Sequence, residues 1–286
     1  MKIITGPRVL APGQPEALAI DGEQVVASGS RAELRSRFAG AEWIDLDGAL
    51  VVPGFNDAHC HPSQAALARV RADLTAATSV DDVRTVLGAA AAATPAGDWV
   101  VGQPINESAV PGVDRDVLDG ISRDHPIVVV QYTFHRAVVN SRALELLDYR
   151  TPADAPPGGE LRVDADGRLN GWLIERAWLD PWLPGLGHSS IAVAGTPAAQ
   201  VAALREINTE LHSVGITSYC DAIVTPLELG TYTAARDAAV LTPRVSALLW
   251  HTYFDASAWP AAQPDSAHLQ LAGVKMMLDG AFSGGT

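Results

Sequence analysis

The sequence predicts an α/β fold: a partial (β/α) TIM-type barrel of about four strands, with a β-sandwich-like unit before it and a large insertion after its first strand. Three observations predict this fold. From residue 196 onward helical and strand patterns alternate, which is typical of a parallel sheet. An apolar segment near residue 51 ends in the pattern His-x-His. About four such strands can be counted, whereas a complete barrel has eight strands in about 250 residues.

The chain divides into four segments in this prediction. Residues 1–50 form the N-terminal part of a small β-sandwich domain, because Asp-Gly turns separate short alternating strands. Residues 51–62 form the first barrel strand with its His-x-His pattern. Residues 63–195 form an inserted subdomain, since ordinary βα connections have only ~2–6 residues. Residues 196–286 contain barrel strands two to four with their helices and end partway round the barrel.

Local signals place the individual elements. Ser79, Asn140 and Thr196 are candidate helix N-caps, and Thr225 begins a capping box with Glu228. An Asp-Gly turn at residues 166–167 predicts a hairpin. In chain order we expect strands at 18–20, 24–27, 43–46, 50–52, 99–101, 127–132, 161–165, 169–173, 216–220, 245–250 and 269–278, and helices that begin near 80, 141, 197 and 226.

The composition restricts the class of partner. The 286 residues are 48% hydrophobic, and 33 acidic against 20 basic residues give a net charge of −13. This balance argues against nucleic acid or an anionic membrane as the partner and favours a small molecule. No secretory segment or membrane-spanning run is visible, and two cysteines make no disulfide framework, so we expect a cytoplasmic protein. Two protein partners also stay open: a second copy of the chain in a homo-oligomer, and a missing C-terminal half.

His59 and His61 are the strongest candidates for chemistry. At positions i and i+2 of an extended chain their side chains point to one face, while Cys60 points to the other. Two neighbouring imidazoles can bind one ion of zinc, iron, nickel or copper. A bare His-x-His is more often a pair of polar residues beside a turn. The metal site is therefore a hypothesis that depends on its sequence context.

Lys275 is unusual because the chain uses arginine almost everywhere else. The only lysines are Lys2 and Lys275, and Lys275 lies in the apolar run of residues 271–278. Lysine can react as a neutral amine, whereas arginine stays charged. The alternative is a lysine at a strand end that extends its ammonium group to water.

Several longer motifs carry a family resemblance. They are V-V-P-G-F-N-D-A-H-C-H at 51–61, F-H-R-A-V-V-N-S-R-A-L at 134–144, G-I-T-S-Y-C-D-A at 215–222 and G-V-K-M-M-L-D-G at 273–280. With these motifs the chain resembles the amidohydrolase superfamily, in particular its "amidohydrolase 3" branch, which includes N-substituted formamide deformylases. The resemblance implies a metal-dependent hydrolase of carbon–nitrogen bonds other than peptide bonds, acting on a small amide or formamide.

The resemblance also implies ligand roles. His59 and His61 would be ligands of one metal ion, and a carboxylated Lys275 would bridge that ion to a second one. One or two divalent ions are therefore expected, with zinc as first choice. A bound ion would lower the pKa of water towards ~7 and polarise the scissile carbonyl. The family takes two further histidines and an aspartate from later strands. This sequence does not supply those strands, so the catalytic residue is unknown and Asp279 is not assigned that role.

Weaker candidates for the substrate pocket are His135, Cys220, His251 and Asp279. His135 lies in a family-like stretch, and a structural histidine is an equal alternative. Cys220 ends the second barrel strand as a candidate thiolate ligand, although free cysteine is commonly a small buried hydrophobe. His251 ends the third strand. A second functional hypothesis stays open: a truncated or decayed relative without catalysis.

Overall fold

The computed structural model describes residues 1–6, 8–10, 13–182, 196–254 and 266–277. The chain divides into two compact units, Met1–Phe55 and Asn56–Thr286. No helix in these described ranges is long and apolar enough to cross a membrane.

The first unit is a small sheet with one helix. Its elements are β1 (Lys2–Thr5), β2 (Arg8–Val9), β3 (Ala17–Asp21), β4 (Gln24–Gly29), α1 (Arg31–Arg37), β5 (Glu42–Asp45) and β6 (Leu50–Val51). Four strands form one sheet in the order β4-β3-β1-β5, and β2 pairs with β6. Ile3, Ala17, Ala19 and Leu34 form its core. The predicted hairpin of β3 and β4 is confirmed.

Two features of this unit differ from the prediction. Helix α1 was not expected, although Ser30 caps it by accepting a hydrogen bond from the Glu33 amide. The strand at residues 50–52 was expected to be buried and continuous with the histidine pattern. Leu50 is instead 52% exposed, β6 has two residues, and the histidines follow a separate strand. Pro53 explains the break, because it lacks the N–H group that a continuing ladder needs.

The second unit contains two sheets. Its elements are β7 (Phe55–Cys60), α2 (Pro62–Arg69), β8 (Ala72–Asp73), α3 (Val80–Ala93), β9 (Val100–Ile105), α4 (Arg115–Asp119), β10 (Ile127–Gln131), β11 (Arg136–Val139), α5 (Ser141–Leu146), β12 (Gly159–Val163), β13 (Leu169–Glu175), α6 (Arg176–Trp182), α7 (Pro197–Ser213), β14 (Ile216–Val224), α8 (Pro226–Asp237), β15 (Arg244–Trp250) and β16 (Leu269–Lys275).

The four-stranded sheet has the order β16-β15-β14-β7, and β14, β15 and β16 run parallel to one another. Helices α7 and α8 alternate with these strands, and Leu204, Tyr219, Tyr232 and Leu249 belong to the core between them. Strand, helix and strand therefore succeed one another as predicted, and the α/β class is confirmed.

The six-stranded sheet has the order β12-β13-β11-β10-β9-β8 and comes entirely from residues 72–175. Its central strand β10 is buried along its whole length. Within the described ranges, the segment predicted as an insertion adds no strand to the four-stranded sheet. The four-part division of the chain, the partial TIM-type barrel and the sandwich architecture stay predictions.

Candidate metal and substrate site

The two histidines lie where β7 passes into α2. His59 is on the strand, and His61 is the N-cap residue of α2, with Pro62 in the first helical turn. Their ring centroids are 5.4 Å apart and the rings meet edge to face at 86°. The structure therefore brings together the two imidazoles that the sequence singled out.

Asp221 on the neighbouring strand β14 faces His61. Its side chain is completely buried, and Oδ1 lies 3.7 Å from Nδ1 of His61. Oδ2 accepts hydrogen bonds from the Ser63 amide (3.2 Å), the Ser63 hydroxyl (2.5 Å) and the Tyr232 hydroxyl (2.7 Å). Carboxylates that hold the second nitrogen of a histidine orient the ring for a metal. The sequence analysis missed Asp221, although it is the one charged residue in the strand I-T-S-Y-C-D-A-I-V.

The side chains around His59 and His61 provide part of what a metal site needs. Nδ1 of His61 is buried and has no hydrogen-bond partner among the described residues, so it is suited to bond with Asp221 once the ring is fixed. Catalytic zinc usually has three protein ligands. In the described part of the chain no group of three His, Cys, Asp or Glu side chains could hold an ion. These residues therefore offer two imidazoles and one nearby carboxylate.

Lys275 ends β16, opposite Trp250 of β15. Its side chain is half-buried, and the flanking Val274 and Met276 are 44% and 65% exposed. This strand end is therefore partly open to solvent, because β16 is the last strand of the four-stranded sheet in the described ranges. The bridging role of Lys275 stays a prediction.

The remaining candidates lie in different environments. Nδ1 of His251 is bonded to the carbonyl oxygen of Lys275 at 3.2 Å, and the ring is exposed. Burial, followed by the charge of Asp221, raises the pKa of the Cys220 thiol, and burial raises the pKa of Cys60 to about 12. Burial thus favours the neutral thiol over the thiolate at both cysteines. Asp279 lies outside the described residues.

A cavity of about 440 Å³ opens beside His61. His135 lines the same cavity, so the structure brings this weaker candidate to the site of the stronger one. Much of the wall is apolar, from Phe134, Leu179, Trp182, Ile223, Trp250 and Met277, and Gln64 and Gln103 add polar groups. This combination of apolar walls with a few polar groups is typical of a small-molecule site.

His135 is fixed by a carboxylate. Its Nδ1 lies 2.7 Å from Oε1 of Glu175, and its carbonyl oxygen accepts a bond from the Glu175 amide. Phe134 and Glu175 have φ angles of +65° and +48°, a left-handed conformation that costs energy for residues other than glycine. Such strained residues concentrate at functional sites. The surroundings of His135 are thus those of a positioned side chain.

Two buried ionisable side chains bond to the two glutamines that line the cavity, Gln64 and Gln103. Arg71 is 7% exposed, donates from Nη1 to Oε1 of Gln103 at 2.5 Å and stacks 4.3 Å from the Trp182 ring. Burial lowers the pKa of Arg71 to about 9, so it keeps its charge at neutral pH. Glu228 accepts from Nε2 of Gln64 at 2.6 Å, and burial raises the pKa of Glu228.

Comparison with known proteins gives one family and several relatives. A family model described as "Amidohydrolase family" matches residues 42–286. N-substituted formamide deformylase from Arthrobacter pascens is 30% identical over 237 residues, which are 80% of this chain and 42% of that protein. Putative amidohydrolase YtcJ from Bacillus subtilis is 29% identical over 167 residues, which are 57% of this chain and 32% of that protein. The chain spans less than half the length of these two curated relatives.

Solved structures share the fold. An uncharacterized metal-dependent hydrolase from Pyrococcus horikoshii OT3 superposes with a TM-score of 0.69 at 20% identity, covering 99% of this chain and 55% of the other. A second such hydrolase, from Pyrococcus furiosus, gives a TM-score of 0.67 at 22% identity and covers 99% and 57%.

Proposed function

Because the chain belongs to the amidohydrolase family, we propose that it serves as part of a metal-dependent hydrolase of carbon–nitrogen bonds other than peptide bonds in small molecules. The single observation that carries this proposal is the pair of imidazoles, 5.4 Å apart, beside the buried Asp221 and a cavity of about 440 Å³. The names of the relatives support the substrate class of amides or formamides.

The fold fits this proposal. Strands β7, β14, β15 and β16 have the same order along the chain and in the sheet, with residues 63–195 between the first two, as the first four strands of a (β/α) barrel with an insertion would. His59, His61 and Lys275 lie at the carboxyl ends of such strands, where barrel enzymes place their active sites. We propose a partial TIM-type barrel on these grounds.

We assign each residue one task. His59 and His61 hold one divalent ion, zinc as first choice, and Asp221 orients His61. When bound, such an ion lowers the pKa of water and polarises a carbonyl group. Lys275, as a carbamate, is the proposed bridge to a second ion. The apolar wall of the cavity binds the substrate and excludes bulk water, which strengthens polar interactions inside.

A second candidate is a relative without catalysis. The observation that favours it is the donor set, because among the described residues no group of three His, Cys, Asp or Glu side chains is arranged to hold an ion. The predicted cytoplasmic location and small-molecule partner are compatible with both candidates.

Turnover of small amides distinguishes the hydrolase from the relative without catalysis. The chain is incubated with Zn²⁺, Mn²⁺ or Co²⁺ and a panel of N-substituted formamides and acetamides, and released amine is followed by NMR. The hydrolase proposal expects metal-dependent release that His59→Ala abolishes, whereas His212→Ala, at an exposed histidine bonded to Thr242, leaves it unchanged. Metal binding without any turnover favours the second candidate.

A further inference from the structure

Gln103 on β9 is oriented by a buried cation. Its Oε1 accepts from Nη1 of Arg71 at 2.5 Å. A guanidinium group only donates hydrogen bonds, so the amide oxygen of Gln103 has to face Arg71 and its NH₂ group lies on the other side. Because Gln103 lines the cavity, it can offer a hydrogen-bond donor to a ligand there.

His135 is oriented by an anion. Its Nδ1 lies 2.7 Å from Oε1 of Glu175. A carboxylate only accepts, so Nδ1 carries a proton, and in the neutral form of the ring Nε2 is an acceptor. The same cavity therefore has one donor held by Arg71 and one acceptor held by Glu175.

We propose that Gln103 and His135 select secondary amides, with the Gln103 NH₂ group donating to the substrate carbonyl oxygen and Nε2 of His135 accepting from the substrate N–H. This inference rests on the proposed function and narrows its substrate class. The apolar walls, including Phe134 and Trp182, hold the substituent. Esters and tertiary amides lack the N–H group and leave the His135 acceptor without a partner. Arg71 and Glu175 are positioning residues.

Binding to the metal-free chain tests the inference without any need for turnover. After dialysis against a chelator, the dissociation constants of N-benzylacetamide, benzyl acetate and N-benzyl-N-methylacetamide are measured by ligand-observed NMR. A net hydrogen bond contributes about 0.5–1.5 kcal/mol, so the secondary amide should bind roughly 2- to 12-fold more tightly than the other two compounds. Equal affinities would overturn the proposal.

Two variants of matched size test the assigned residues. Gln103→Glu can still pair with Arg71 but replaces the donor with a carboxylate. Glu175→Gln can donate as well as accept, so it no longer fixes the proton on Nδ1 of His135. Glu175→Gln should remove the preference for the secondary amide, whereas Gln103→Glu should weaken the binding of all three compounds by a similar factor, because each has a carbonyl oxygen. Retention of the full preference in Glu175→Gln would exclude the role of His135, and unchanged affinities in Gln103→Glu would exclude the role of Gln103.

Matched controls are Gln270→Glu and Glu160→Gln, at exposed positions of β16 and β12, which should keep the preference. Thermal unfolding verifies that each variant folds, and the preference of the unmodified chain stands as a test by itself.

Because the experiment contains no metal, it separates the two proposals. An amide preference in a chain that binds no metal contradicts only the proposed hydrolysis, and metal binding without a preference contradicts only this inference.

Discussion

Oδ1 of Asp221 on β14 lies 3.7 Å from Nδ1 of His61, the residue that directly follows β7. The carboxylate is completely buried and is held from its other oxygen by Ser63 and Tyr232. Ser63 and Tyr232 therefore fix the position of a carboxylate beside Nδ1 of His61, the nitrogen that it would orient in the proposed metal site.

We expect Asp221→Asn to weaken metal binding by about 10- to 100-fold, as is usual when the partner of a ligating histidine is lost. If the new amide oxygen keeps the bonds from Ser63 and Tyr232, its NH₂ group faces His61 and moves the ring proton to the nitrogen that should bind the ion. Isothermal titration with Zn²⁺ measures the change. Asp237→Asn, at an exposed residue, is the control. Equal affinity in both variants would show that Asp221 serves the fold alone.

Lys275→Ala should lose most of the second ion if the carbamate bridge forms, and short carboxylic acids should restore part of it. Lys275→Arg should not restore it, since a guanidinium group stays charged and repels cations. The measurement is metal content after dialysis in bicarbonate buffer. The control is Lys2→Ala, which changes the only other lysine of the chain. Normal metal content in Lys275→Arg would exclude the bridge.

Alkaline pH should destabilise the protein partly through Tyr149. Burial, with a smaller effect of Asp180, raises the pKa of Tyr149 from 10.0 to about 12 in the folded state. The folded state thus retains a proton that the unfolded chain loses, so this contribution is complete below pH 10 and disappears as the pH rises towards 12. Urea unfolding between pH 8 and about 11 should show a shallower loss of stability in Tyr149→Phe. Tyr132→Phe removes an exposed phenol, and an identical slope in both variants would contradict the assignment.

Asn140→Ala should lower the free energy of unfolding by about 2–4 kcal/mol. The side chain is completely buried, caps α5 through the Ala143 amide, and also bonds the Ile127 amide and the carbonyl oxygens of Ser122 and His125. Ser79→Ala, at an N-cap on the surface, should cost only ~1 kcal/mol. Equal losses in urea titrations of the two variants would show that burial of the Asn140 network adds nothing.

The local elements could be predicted because their signals lie within a few residues. The caps at Ser79, Asn140 and Thr196 and the hairpin around Gly167 are formed as expected. Each depends on short-range hydrogen bonds or turn geometry, which the residue types at neighbouring positions determine.

Burial and contacts between strands could not be predicted in the same way. Leu50 is apolar but exposed, and Asp221 is charged but completely buried. The orientation of Gln103 depends on Arg71, 32 positions earlier in the chain. Such environments arise from tertiary packing, which periodicity does not encode. The proximity of His59 and His61 could be predicted because positions i and i+2 of an extended chain lie on one face.

Metal content after exhaustive dialysis tests the central claim most directly. The chain is loaded with Zn²⁺, dialysed and analysed by mass spectrometry, beside the double variant His59→Ala/His61→Ala and the control His212→Ala. Our account predicts at least one ion per chain in the unmodified protein and in the control, and almost none in the double variant, because the latter lacks both imidazole ligands. Equal metal content in the double variant would contradict the assignment of these two histidines.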